Sequence, residues 1–467
     1  MMEVDMYARL TIIPLFFLLI IPNIGFAQEF ITSKFPNFQD KSFIAFMDQK
    51  LTDGGAYIAL SSGINPVGTI FARKNTNSLQ IWEILKNGKK IKRQELPFAG
   101  ASFGKLLKIN KDDWYDLVTV VEKLDGRNYI KVFCGAAPPE YLTLNDCGLP
   151  EVPLYDDYPG AKGKLISIRA VDFVKLADNI VASAVSFQNA NPIMEGNGTR
   201  PEHFKSFAYR VKVTKISKTG FSSKYVNSSF TSVAKDFSNL AELEFLTFAD
   251  LFNDGKISLV LSNGQIASFL DSSPLPAVLI LNDVFSKENM SAKGLYYQLT
   301  DAQASGGNYN QPRRVIVADM DNDKRKDIVV INYGVNDWEN GSPAVMFQNS
   351  KNDWDFVATD ISAGGEPIEG TVADIDGNGL LDIIAMSSDR NGFEILGQTS
   401  KRKFKMLDTI KSTHRDWVLA GDYNGDQLTD LLIGSETGFK AFEPSGGFSP
   451  FGEVSSHSPL HLLLQNP

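Results

Sequence analysis

Three stretches toward the C-terminal end of this chain repeat one aspartate-rich pattern, and that repetition limits the fold more than any other feature. They are Asp319-Met320-Asp321-Asn322-Asp323 ending at Asp327, Asp374-Ile375-Asp376-Gly377-Asn378 ending at Asp382, and Asp422-Tyr423-Asn424-Gly425-Asp426 ending at Asp430. In each, oxygen-bearing side chains stand at positions 1, 3, 5 and 9 of a nine-residue loop. An apolar run precedes each loop (315–318, 371–373, 418–421) and another follows it (328–331, 383–385, 431–433). The pattern reads as strand, carboxylate-rich turn, strand. Carboxylates crowded this closely repel one another unless a cation sits among them. Hard oxygens at alternating positions of a tight turn suit Ca²⁺, which takes six to eight oxygen ligands at roughly 2.3–2.6 Å.

Weaker copies lie upstream. Asp250-Leu251-Phe252-Asn253-Asp254-Gly255 keeps positions 1 and 5 but has Phe252 at position 3 and Ser258 at position 9. Asn110, Asp112 and Asp116 align with positions 3, 5 and 9, with Lys108 at position 1. Asp172 and Asp48 are read as opening two more worn copies. Seven units then begin near 48, 108, 172, 250, 319, 374 and 422. Their spacing, mostly somewhat over 50 residues, suits four-stranded propeller blades with insertions, since blade repeats run about 40–50 residues. Radial repetition also protects sheet edges.

The pattern [Val/Thr]-x-Ala-Asp-x-Asp-x-[Asp/Asn]-x-x-x-Asp-[Ile/Leu]-[Ile/Val] resembles the FG-GAP/VCBS repeat family, the calcium-bearing blades of integrin α-subunit heads and of many secreted bacterial propellers. The likeness is sharp over 315–442, fair at 100–133 and 245–264, and faint elsewhere. It implies an all-β fold, a seven-bladed β-propeller over residues 28–452, with 453–467 as a C-terminal tail. It also implies about three structural Ca²⁺ ions. Their ligands are Asp319, Asp321, Asp323 and Asp327, then Asp374, Asp376, Asn378 and Asp382, then Asp422, Asn424, Asp426 and Asp430, joined by the position-7 carbonyls of Arg325, Leu380 and Leu428. In the first loop Lys324 stands at position 6, where Gly379 stands in the second, so a tighter turn and a weaker site are expected there. The upstream loop at 108–116 is expected to bind no Ca²⁺. Its Lys108 ammonium either lies against Asp112 and Asp116 or points into solvent.

In such a propeller the segment before each metal loop's first strand opens on the central mouth. Those segments bring Arg313 and Arg314, Glu366 and Glu369, and His414, Arg415, Asp416 and Trp417 toward one rim. Arginine supplies a bidentate fork and tryptophan a stacking face, so the set suits a glycan or a protein ligand. The competing reading is salt bridges between blades and a packed tryptophan. The polar stretches 187–206 and 333–342 are too long for hairpins and form a second candidate surface.

Enzyme signatures are thin. There is no phosphate-cradling glycine loop and no zinc-spaced cluster, and His is scarce at 4 residues. The aspartates are committed to the loops. A polysaccharide lyase, with His414 or His203 as base, is the alternative to a binding or adhesion module. No basic stripe points to nucleic acid, and three divalent ions offset most of the formal net charge of −9.

The apolar run 12–22 followed by Gly25-Phe26-Ala27 reads as a secretory signal peptide over 1–27. Glu3 and Asp5 are misplaced for such a signal, so Met6 is the better start. No later apolar stretch is long enough to span a bilayer, so no integral membrane segment is expected in the mature chain. The two cysteines, Cys134 and Cys147, form one disulfide in an exported chain or remain two free thiols. Sequons at Asn197, Asn227, Asn289 and Asn340 matter only in a eukaryotic secretory pathway.

Overall fold

The computed structural model describes residues 30–34, 43–47, 56–61, 78–85, 87, 89–97, 101–122, 128–137, 140–154, 166–189, 209–226, 245–262, 278–286, 292–295, 312–332, 343–349, 355–361, 367–387, 392–411, 417–434 and 460–465. Every regular element among them is a β-strand. The local reason is composition: short runs rich in Val, Ile, Leu and Phe alternate with Asp, Asn and Gly turns, which favours pleated, half-buried strands over helices.

The strands form seven antiparallel sheets, six of four strands and one of five. In chain order the first sheet holds Phe43–Met47, Ala56–Ser61, Ser78–Ile84 and Lys90–Pro97. The second holds Ala101–Leu107, Asp116–Glu122 and Asn128–Gly135, with Leu142–Asp146 and Val152–Leu154 both paired to Asn128–Gly135. The third holds Ile166–Ala177, Ile180–Asn189, Tyr209–Ser217 and Gly220–Tyr225. The fourth holds Leu246–Ala249, Ser258–Ser262, Val278–Leu281 and Ala292–Leu295. Pro312–Ala318, Asp327–Asn332, Ala344–Gln348 and Phe356–Asp360 make the fifth, and Pro367–Ala373, Asp382–Ser387, Gly392–Ser400 and Lys403–Lys411 the sixth.

The seventh sheet departs from chain order. Trp417–Gly421 pairs with Asp430–Gly434, then Leu460–Gln465, and its outer strand is Phe30–Lys34 from the other end of the chain. Residues 453–467, read from sequence as a tail, therefore include a sheet strand. Its residues Leu460 to Leu463 pair with Leu431–Gly434.

First strands of consecutive sheets pack on one another from the first sheet through the seventh. The buried apolar side chains lie mainly between sheets. Val118, Val120, Phe173 and Val185 fill the space between the second and third, Val260, Ile280, Val330 and Met346 that between the fourth and fifth, and Ile384, Phe393, Val418 and Leu431 that between the sixth and seventh. Burial of this apolar area, at about 25 cal/mol per Å², is the main term holding sheet to sheet. Gly370 lies in that packing: a Cβ there meets Ile331 Cδ1 at 2.8 Å and the Ile384 carbonyl oxygen at 2.8 Å.

Two expectations for the upstream units change. Asp172 opens no loop. It lies mid-strand in Ile166–Ala177, paired with Ala184, and the turn comes later, at 178–179. Asp48 lies outside the described residues. Cys134 and Cys147 are joined as a disulfide with Cα atoms 5.4 Å apart.

Candidate metal centre

Each aspartate loop is closed by the same cross-strand pair. The residue before position 1 faces the residue at position 9: Ala318 and Asp327, Ala373 and Asp382, Gly421 and Asp430. Ala249 faces Ser258 and Leu107 faces Asp116 in the same way. Five loops therefore start from one register.

Position 9 is a clamp. The Asp327, Asp382, Asp430 and Asp116 side chains are fully buried. One oxygen of each accepts the position-2 amide: Met320 at 2.8 Å, Ile375 at 2.8 Å, Tyr423 at 3.0 Å and Ile109 at 2.9 Å. The other oxygen reaches the end of the third strand, taking the Gln348 amide at 2.9 Å, Gln398 at 2.8 Å and Gly135 at 2.9 Å. Position 2 is a buried apolar or aromatic residue in every loop (Ile109, Leu251, Met320, Ile375, Tyr423), and it fixes the loop to the core.

The remaining acidic positions bond within the loop. Asp319 accepts the amides of Asp323 and Lys324, Asp422 those of Gly425 and Gln427, and Asp374 that of Gly379. Position 5 accepts the amide two residues on, from Arg325, Leu380 and Leu428. These are Asx turns, short-range bonds that such side chains make readily. They leave positions 4 and 6 with positive φ: Asn322 (55°) and Lys324 (70°), Gly377 (72°) and Gly379 (84°), Gly425 (77°) and Gln427 (74°). Lys324 thus takes the same conformation that Gly379 takes, and so does Gln427, so the turn of the first loop is not tighter than the others.

In the first loop, Asp319, Asp321 and Asp327 each bring a carboxylate oxygen within 4.8 Å of the others, and Asp374, Asp376 and Asp382 do so in the second. The third loop has Asn424 at position 3 and no such trio of carboxylates. The donor set is all hard oxygen. Asp321, 3% exposed, has its Oδ1 buried with no hydrogen-bond partner, and so has Asp374 Oδ1. A buried acceptor left unmade costs about 1–3 kcal/mol. Each of these oxygens fits a hard divalent cation held in its own loop. Burial also pushes the Asp327 carboxyl up to about 7 and the Asp382 carboxyl up to about 6, against the lowering effect of their backbone donors; neighbouring carboxylates add to the rise.

The worn copies keep the frame and lose the ligands. Asp250 accepts the amides of Asp254 and Gly255, and Asn253 (52°) and Gly255 (79°) repeat the positive φ values. Phe252, however, is 3% exposed and packs between the fourth and fifth sheets in place of a position-3 oxygen. In 108–116, Asp116 keeps its clamp and Asn110 and Asp112 keep their Asx bonds. Neither Lys111 nor Asp113 has a positive φ. The Lys108 ammonium lies over the Tyr115 ring, 5.2 Å from its centroid, rather than against Asp112 or Asp116. The ion pair considered for it does not form.

The rim set is divided. Arg314, on the fifth sheet, pairs with Glu369 on the sixth, and its guanidinium stacks on Phe245, 4.9 Å from the ring centroid. Burial pushes the Arg314 guanidinium down to about 10. Arg313 is half-buried beside it, and Trp417 begins the first strand of the seventh sheet. Glu366, His414, Arg415 and Asp416 lie outside the described residues, as do 190–206, His203, 333–342, the four sequons and residues 1–27. A second bridge runs farther round. Lys105 donates to Asp172 Oδ1 at 2.8 Å, while Asp172 Oδ2 accepts the Phe248 amide at 2.8 Å and the Thr247 hydroxyl at 3.1 Å, tying the second, third and fourth sheets together.

Sequence reading missed the basic and amide side chains that pair within the first loop or reach it from elsewhere. Arg325 pairs with Asp323 and donates to the Gln348 carbonyl at 2.8 Å. Gln398 donates to the Met320 carbonyl at 2.6 Å, and Arg402 donates to Asp321 Oδ2 at 2.7 Å. No motif marks Gln398 or Arg402, which lie 78 and 81 residues from their partners.

Residues 319–385 match the family model of the FG-GAP-like repeat, and the chain carries such a repeat there. No curated protein matches. Among solved structures, the periplasmic gluconolactonase PpgL of Pseudomonas aeruginosa aligns over 80% of this chain and 85% of its own at 11% identity, with a TM-score of 0.43. The GH43_1 enzyme of Xanthomonas citri complexed with xylotriose aligns over 64% and 84% at 11% identity, with a TM-score of 0.29. Scores this low carry no argument about activity. No helix among the described residues is long and apolar enough to cross a membrane.

Proposed function

We propose that this repeat-bearing chain is an exported, calcium-binding, seven-bladed β-propeller that serves as a binding or adhesion module for a glycan or protein ligand. Seven sheets packed in sequence support the ring, as does the pairing of Phe30–Lys34 with Leu460–Gln465, which brings the two ends of the chain into one sheet. The disulfide fits an oxidising compartment outside the cytoplasm.

The observation that carries the metal reading is the pair of buried, unpartnered carboxylate oxygens, Asp321 Oδ1 and Asp374 Oδ1, set among converging carboxylates. In this reading all twelve loop side chains named above serve the three ions. The ion is Ca²⁺ because the donors are oxygens only and the loops are irregular, which suits its flexible coordination. The binding-module reading is supported by the commitments of the acidic side chains. Each clamp carboxylate accepts backbone amides, so none of them stands available as a catalytic acid–base pair. The ligand surface is proposed on the remaining rim residues (Arg313, Glu366, His414, Arg415, Asp416, Trp417), since Arg314 and Glu369 engage each other.

Calorimetric titration of Ca²⁺ into the metal-stripped chain tests the ion, with up to three sites expected and no binding heat overturning it. A glycan array run beside an anionic-polysaccharide degradation assay tests the module. Binding without turnover is expected, and an unsaturated uronate product absorbing in the ultraviolet overturns it in favour of a lyase.

A further inference from the structure

The turn that carries Arg402 belongs to the sixth sheet, between Gly392–Ser400 and Lys403–Lys411, yet its side chain ends in the first loop of the fifth. It is held from several sides. The Arg402 backbone takes a positive φ of 63° and its amide donates to Gln398 Oε1 at 2.6 Å. Gln398 is itself docked on the loop through the Met320 carbonyl at 2.6 Å. The guanidinium stacks on Phe347, 4.7 Å from the ring centroid, and donates through Nη1 to Asn349 Oδ1 at 2.9 Å. Its Nε donates to Asp321 Oδ2 at 2.7 Å, and Nη2 lies 3.7 Å from Asp323 Oδ2.

The two oxygens of Asp321 are thus treated differently. Oδ2 is taken by Arg402, whereas Oδ1 is buried, unpartnered, and part of a residue trio converging with Asp319 and Asp327. A carboxylate has two-fold freedom about its terminal bond, and Arg402 removes it. Charge points the same way. The first loop carries four aspartates, one more acidic group than either of the others, and it alone among the described loops has arginines, Arg402 and Arg325, paired with its position-3 and position-5 carboxylates. Among the described residues, no basic side chain pairs with Asp374, Asp376 or Asp382. Arg325 holds Asp323 through both its side chain and its amide, whereas Arg402 neutralises one oxygen of Asp321 and leaves the other for the ion.

We infer that Arg402 is the positioning residue of the first loop: by holding Asp321 Oδ2 from the neighbouring sheet it aims Oδ1 at the cation, so that metal affinity at 319–327 depends on the sixth-sheet turn. This rests on the calcium reading above. Partners that orient a ligand from behind typically change metal affinity 10–100-fold when removed.

The test is Ca²⁺ calorimetry on the full chain, metal-stripped, as wild type, Arg402→Gln, Arg402→Lys and Asp321→Ala. One binding event should weaken at least about tenfold in Arg402→Gln, the same event that Asp321→Ala removes. The other events should keep their constants, and Arg402→Lys should recover part of the loss. On the Asp321→Ala background, Arg402→Gln should have no further effect on binding. An unchanged or strengthened event in Arg402→Gln overturns the inference while the calcium reading stands. So does a parallel weakening of every event, which marks general loosening. No binding by the wild type overturns both. If Arg402→Gln does not fold, Arg402→Lys and Asn349→Ala, which removes one anchor of the guanidinium without deleting it, decide the question by the same criterion.

Discussion

Asp382 takes the Gln398 amide on Oδ1 at 2.8 Å and the Ile375 amide on Oδ2 at 2.8 Å, so one carboxylate joins the start of its loop to the end of a strand sixteen residues away. Asp382→Ala leaves two buried donors unmade, each costing about 1–3 kcal/mol. We expect it to lower stability by about 3 kcal/mol even without metal. Ser258→Ala removes only a 3.0 Å bond to Asn282 Oδ1, which still accepts the Asp283 amide, and should cost about 1 kcal/mol. Equilibrium denaturation of both metal-stripped variants checks the order.

Removing metal should destabilise the chain in a pH-dependent way. Asp327 and Asp382 are raised to about 7 and about 6 from an ordinary value of 3.8. A carboxyl raised in the folded state contributes stability that is complete below the unfolded value and is lost as pH rises through the folded one. The metal-stripped protein should therefore melt at a lower temperature at about pH 8 than at about pH 5. Saturating Ca²⁺ should abolish most of that fall, because it favours the ionised form. A melting temperature in chelated protein that is flat over this range, or equal to the calcium form throughout, counts against it.

Arg314 and Glu369 should behave as a structural pair. Truncating one partner of this half-buried ion pair leaves the other charge unpaired and partly desolvated, at a cost of about 1–3 kcal/mol. Arg314→Ala and Glu369→Ala should each lower the melting temperature, and the double variant should lose less than the sum of the two. Ligand binding per folded molecule should not change. A loss of binding with an unchanged melt would return both residues to the ligand surface.

Lys108→Asp supplies the missing position-1 carboxylate of 108–116, yet the count of bound Ca²⁺ should not rise. Positions 4 and 6 of that loop lack the positive φ that the other four loops share, and Lys108 is anchored over Tyr115. Elemental analysis of the variant after equilibrium dialysis gives the number directly.

Deleting 460–465 should unpair both Asp430–Gly434 and Phe30–Lys34. An exposed apolar strand edge is an aggregation site. The truncated chain should be markedly less soluble and lose its cooperative melt. A soluble truncation with a wild-type melt would make 453–467 a dispensable tail after all.

The residues of the three loops determined their own local structure. Asx turns, the closing pair and the clamp's bond to the position-2 amide form between groups within about nine residues, and the oxygen spacing that suggests a cation is the spacing that makes those bonds. The alternation of apolar runs and turns likewise decided that every regular element among the described residues is a strand. What the loops lean on was decided only in three dimensions. Arg402 meets Asp321 across 81 residues, and Asp172 meets Phe248 across 76. Lys108 chose an aromatic face over two carboxylates, Phe252 filled an inter-sheet gap where its copies place oxygen, and the two chain ends met in one sheet. The physical reason is common to all of them. Periodicity and composition report how much of a side chain must be buried and which bonds lie within reach along the chain, whereas a partner on the next sheet is set by how sheets stack, a relation that no local spacing encodes.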